Sequence, residues 1–173
     1  DVQQRLEREL KRDYHIITAG KRLDQVARDF VQHYSTAWET GKAMVVCIDK
    51  VTCVRMHELI VKYWDQRIKD LEATVSQAVD EQEEIYLQRQ IEWMRQTRTA
   101  VVVSEEQGEV EKFRKWDLDI KPHRTLIKNG IDLPESMRNK PQFRNMQRME
   151  LDQAFKEEEH PFRIAIVCAM WLT

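Results

Sequence analysis

The tetrapeptide Thr18-Ala19-Gly20-Lys21 is the first place where residue types and spacing could do chemistry. A Gly-Lys pair between a strand and a helix is the setting of a phosphate-binding P-loop, in which backbone N–H groups wrap a phosphate and the Lys neutralises it. The spacing fails. The glycine required five residues before Gly20 is His15, and the residue after Lys21 is Arg22 instead of a Mg-binding Ser or Thr. Gly41-Lys42 precedes an apolar run and so fails on topology. No nucleophile elbow, H-E-x-x-H pair or dinucleotide-binding glycine loop occurs.

His15, His33, His57, His123 and His160 have no second ligand at helical spacing, so they read as surface or capping residues and not as metal ligands. The run Glu157-Glu158-Glu159 reads as a solvated turn ahead of a strand rather than a cation site. Cys47, Cys53 and Cys168 are odd in number and lie in or near apolar segments, which predicts buried free thiols instead of a disulfide framework or zinc site. No metal is expected.

The 173 residues carry 28 Lys+Arg against 30 Asp+Glu. That near-balance hides an asymmetry. Lys112 to Arg148 holds ten basic and four acidic residues, a balance of +6. Lys112, Arg114, Lys115, Lys121, Arg124 and Lys128 are candidates for a phosphate-facing basic surface, with Phe113, Trp116 and Phe143 interleaved as rings that could stack on bases. A solvated, loop-rich face with core aromatics is the other reading. No apolar run reaches the ~20 residues needed to cross a bilayer, which favours a cytoplasmic protein.

The elements that must position these residues follow from periodicity. Val2 to Lys11 reads as a charged helix, and Tyr14 to Thr18 as a short extended piece. Leu23, Val26, Ala27, Phe30, Val31 and Tyr34 form one helical stripe. Ala43 to Ile48 is an unbroken apolar run, expected to be a central parallel strand buried on both faces. Met56 to Val75 keeps helical spacing, and Ile85, Gln88, Ile91 and Met94 form a second helix with acids before it and Arg95 and Arg98 after it. The two should make a hairpin turning near residues 76–80. Ala100 to Ser104 and Arg163 to Cys168 are two further buried strands. Between them, Val110 to Trp116 and Asn145 to Lys156 should be helices, flanking a Pro- and Gly-punctuated stretch of loops or short helices. Apolar strands separated by helices imply an α/β fold with a parallel sheet.

Two segments carry a resemblance. Trp38 to Ile60, WETGKAMVVCIDKVTCVRMHELI, resembles the motif IV strand and following helix of the motor and restriction (R) subunit of type I restriction enzymes. Pro161 to Thr173, PFRIAIVCAMWLT, is similar to the opening of that family's motif V. The resemblance implies a RecA-like parallel sheet with flanking helices, and it makes the helical pair within residues 54–96 an insertion. Residues 1–173 would then be a single, incomplete second motor domain, with leading helices over 1–40 and the motif IV strand to the start of motif V over 41–173.

It further implies an ATP-dependent DNA translocase that, in the intact bacterial or archaeal subunit, serves a site-specific endonuclease. Asp49, Lys50 and Thr52 after the first motif and Thr173 in the second would approach the DNA backbone. The implied partners are double-stranded DNA, the first motor domain of the same chain, and the methylation and specificity subunits. ATP and Mg would be cofactors of the full-length subunit only, because the P-loop, the Asp-Glu box and the motif VI arginines are absent from this sequence. The 173-residue chain alone is expected to be inactive. Two rivals stand beside this: a helical docking module on an α/β base, centred on the Leu59 to Met94 pair, and a motor of another superfamily 2 translocase.

Overall fold

The three apolar runs pair as one parallel sheet. In the structure, a computed structural model that describes residues 1–169, β1 (Ala43–Cys47), β2 (Arg98–Val102) and β5 (Phe162–Cys168) adopt the order β1-β5-β2. The strand latest in sequence is therefore central. Its register pairs Ala43 with Ile164 and Cys47 with Cys168 on one side, and Val102 with Val167 on the other. The mixed α/β class with a parallel sheet is as expected.

The helices cover the two faces unequally. On one face, α2 (Gly20–Thr36), α3 (Lys50–Val75) and α4 (Glu81–Gln96) bury Ala27, Ile60, Trp64 and Met94 against Val101, Ile164 and Ile166. Each fully buried Ile or Met there contributes about 1.5–3 kcal/mol. Buried polar contacts fix the packing: Trp64 Nε1 donates to Met94 O at 2.8 Å and Gln90 Nε2 to Ser35 O at 2.7 Å. The α3–α4 turn falls at residues 76–80, where Asp80 caps α4 by accepting from Glu83 N at 2.8 Å while the Glu83 carboxylate accepts from Val79 N.

On the other face, α6 (Lys121–Asn129) and α8 (Leu151–Lys156) pack over Ala100, Ala165 and Val167. This layer spans β2 and β5 but leaves β1 bare. Met44 and Val46 are 46% and 49% exposed, so β1 is an edge strand open on one face and not a central one. An apolar run signals burial on both faces only where a second layer reaches it.

Other expectations are corrected as well. Tyr14 to Thr18 is not extended, because α1 continues from Val2 through Thr18. Ile16, Ile17 and Thr18 favour strands by type, but the Thr18 hydroxyl donates back to Tyr14 O at 2.8 Å and the helix stops only at Ala19. The segment 145–156 is not one helix. A 3-10 helix (Pro141–Met146) leads into β4 (Arg148–Met149), which pairs antiparallel with β3 (Ile131–Asp132) before α8 begins. Gly130 makes that pairing possible: it holds φ +87°, and a Cβ there would lie 2.6 Å from Met149 O. Short helices do dominate the punctuated stretch, with α5 (Glu109–Arg114), α6 and α7 (Glu135–Arg138).

Candidate functional site

Parallel pairing of β1 with β5 brings the end of β1 and the end of β5 to one edge of the sheet, the carboxyl edge where open α/β sheets place ligands. Asp49 and Lys50 follow β1 there, and Cys168 Sγ reaches Ile48 O at 3.8 Å. Thr173 lies outside the described residues.

Asp49 caps α3. Its Oδ1 accepts from Thr52 N at 2.7 Å and its Oδ2 from the Tyr14 hydroxyl at 2.6 Å. Burial pushes the Asp49 carboxyl up, but the Tyr14 hydroxyl, the Thr52 hydroxyl and amide, and the nearby Lys112 charge outweigh it, so it sits below the usual carboxylate range. The hydrogen bond to Asp49 raises the Tyr14 hydroxyl in turn. Thr52 is buried.

Lys50 opens α3, and only 14% of its side chain is exposed. Its Nζ lies 3.3 Å from Glu106, whose other oxygen accepts from Lys112 at 2.8 Å. Glu106 is a shared carboxylate between two ammonium groups, held below its ordinary range first by the Lys112 hydrogen bond and then by Lys50. Chemically this is an ionic cluster of two lysines on one carboxylate at a helix N-terminus. Displacing Glu106 would free two lysines toward a phosphate.

The expected basic surface is divided. Arg124 is not on the surface: its guanidinium is buried, gripping Glu109 at 3.0 and 2.8 Å and donating to Val103 O and Ser104 O. Arg114 pairs with Glu111 and Lys128 with Glu105. Lys115 and Lys121 are exposed and make no ion pair among the described residues. The +6 balance of residues 112–148 is partly offset by Glu105, Glu106, Glu109 and Glu111, which lie just before that window. Phe113 and Phe143 are core, whereas Trp116 is exposed with Arg55 5.3 Å from its ring centroid.

The histidines also depart from the surface reading. His57 on α3 and His123 on α6 meet edge to face at 4.6 Å, and His160 is fully buried, its Nδ1 accepting from Phe162 N at 2.9 Å. Burial drives His57 and His160 down to about 4, helped for His57 by His123 and for His160 by Lys42, Arg163 and Arg98. All three cysteines are buried free thiols, and a hydrogen bond to Cys47 together with burial pushes the Cys53 thiol up. Among the described residues no group of three or more His, Cys, Asp or Glu is arranged to hold a metal ion, and no helix is long and apolar enough to cross a membrane.

Sequence reasoning missed Tyr14 and Glu106 as members of this edge. Tyr14 is 35 residues from its partner and Glu106 is 56 from Lys50, so no local spacing could link them. The Glu105-Glu106 pair directly after an apolar strand is the one signal that pointed there. Comparison with protein-family models, with curated proteins and with solved structures finds no match to this chain.

Proposed function

We propose that the chain is part of the second RecA-like motor domain of an ATP-dependent DNA translocase of the type I restriction R-subunit kind. One observation carries this reading: the strands of the two segments that resemble motifs IV and V are nearest neighbours, in parallel register from Ala43–Ile164 to Cys47–Cys168. Two grips on one DNA strand require their loops to leave the sheet side by side. Backbone amides at the start of α3, with Lys50 beside them, hold phosphates without reading bases, which suits a motor that moves along any sequence. ATP and Mg would lie in the cleft against the first motor domain, and opening and closing of that cleft would move one grip relative to the other.

The test is fluorescence anisotropy of a labelled duplex titrated with the chain across a salt series. Binding should weaken steeply with salt, and Lys50→Ala should reduce the salt slope by about one phosphate contact. Affinity and slope unchanged by Lys50→Ala would remove the loop from the DNA interface. ATP turnover by the chain alone is expected to be nil, since no phosphate-wrapping glycine loop is present.

A second reading, protein docking, draws on a different element from the α3–α4 pair, whose Ile60, Trp64, Leu71, Ile91 and Met94 face the core. The apolar residues Val2, Leu6, Leu10 and Ile17 of α1 are exposed along one side of that helix. Loss of duplex binding with retained self-association or partner capture through α1 would favour it.

A further inference from the structure

A second cluster of cationic side chains lies at the opposite, amino edge of the sheet. A cavity of about 350 Å³ opens there between the start of β2, the end of α6 and the β3–β4 pair. Arg98, Arg138 and Arg148 line it, together with the hydroxyl-bearing Thr99 and Thr125 and a single carboxylate, Asp132. Three guanidiniums thus face one acid. Arg148 takes both oxygens of Asp132, at 2.8 and 3.2 Å. Arg138 Nε donates to Leu133 O at 2.9 Å. The buried Nε of Arg98 has no acceptor among the described residues.

A buried N–H without a partner is costly, and native structures rarely keep one without a use. Asp132 takes the Arg148 fork and, among the described residues, accepts from neither Arg98 nor Arg138. A tetrahedral oxyanion can engage all three, since its oxygens accept from several directions. The Arg148 hydrogen bond, followed by the charges of Arg148, Arg138 and Arg98, holds the Asp132 carboxyl below its ordinary range. The cavity wall is built for close approach as well. Gly130, at φ +87°, lets backbone and not side chain form the rim beside Met149.

We infer that this arginine-lined cavity is a phosphate-binding site, with Asp132 as the resident competitor that the phosphate displaces from Arg148. The site goes beyond the motor reading and does not rest on it, because it lies at the other end of the strands from Lys50. Its phosphate belongs either to a free phosphomonoester or to a nucleic-acid backbone.

The experiment is a titration of the chain with inorganic phosphate, followed by calorimetry and by the 31P resonance. Saturable binding is expected, weakened on the order of tenfold by Arg98→Gln and by Arg148→Gln, each removing one charge-assisted donor set. The second variant is at an exposed side chain, so it keeps the test valid if Arg98→Gln unfolds the protein. Asp132→Asn should tighten binding severalfold by removing the competitor, a result that a merely structural ion pair would not give. Lys50→Ala should leave phosphate binding unchanged even if it abolishes binding of DNA, which separates failure of this site from failure of the motor reading. With the wild-type chain, release of bound phosphate by an added short duplex assigns the site to a nucleic-acid backbone, and indifference to the duplex assigns it to a free phosphomonoester. Absence of saturable binding, or binding indifferent to both arginine substitutions, would overturn the inference.

Discussion

The two edges of the sheet handle charge in opposite ways. At the carboxyl edge the cations meet carboxylates: Lys50 and Lys112 share Glu106, and Arg124 is locked onto Glu109. At the amino edge, Lys42 and Arg163 rest on neutral oxygens instead, while Arg148 pairs with Asp132. Lys42 Nζ donates to Ala154 O at 2.8 Å, and Arg163 donates to Trp93 O and the Thr97 hydroxyl at 3.0 and 2.8 Å. Burial accordingly pushes Lys42 down to about 8 and Arg163 to about 10. A carboxylate stabilises a buried cation in its charged form, while a carbonyl only satisfies its hydrogen bonds. Part of the basic segment is therefore paired with carboxylates where a nucleic acid is proposed to bind, while Arg138 and Arg148 of the same segment lie at the other edge.

The sharpest way to break this contrast is at Glu109. Glu109→Ala leaves the Arg124 guanidinium buried without its partner, and we expect a loss of about 3–5 kcal/mol in urea unfolding. A loss below about 1 kcal/mol would mean that the carboxyl edge does not depend on its buried pair.

The amino edge should respond to acid instead. His160 titrates near 6.5 when unfolded but is held down to about 4 in the fold, and His57 behaves alike. As pH falls below 6.5 the unfolded chain takes up these protons first. Stability is therefore full above that range, drains between about 6.5 and about 4, and levels off once the folded histidines are charged too. The drop should be on the order of 3 kcal/mol per histidine. His160→Asn should flatten part of it; an unchanged acid limb would show that His160 is not held neutral.

Smaller effects sharpen the comparison. Asp49→Ala removes the α3 cap and the anchor for Tyr14, and should cost about 1 kcal/mol by thermal or chemical unfolding. Arg114→Ala deletes an exposed pair with Glu111 and should change stability by less than about 0.5 kcal/mol. If the order of Asp49 and Arg114 were reversed, the cap would not be what holds the start of α3.

Much of this architecture was legible along the chain. The three apolar runs became strands, the Gly- and Pro-free segment became the α3–α4 hairpin with its turn where acids replace apolar residues, and the cysteines are buried thiols. What was misread required neighbours. Tyr14 to Thr18 looks extended by residue type, yet in the fold it carries the hydroxyl that holds Asp49. Arg124 looks like any member of a basic run until Glu109 and two carbonyls surround it.

Periodicity is a local property, set by 3.6 residues per helical turn and by the alternation of a strand, so the sequence by itself determined the long helices α2, α3 and α4 and the three apolar runs that became strands. Strand order is not local. That β5 lies between β1 and β2, that His57 meets His123, and that Arg98, Arg138 and Arg148 converge on Asp132 was decided only when the layers packed. Contacts between residues dozens apart in sequence depend on which faces must be covered, and the same local pattern is compatible with several such coverings.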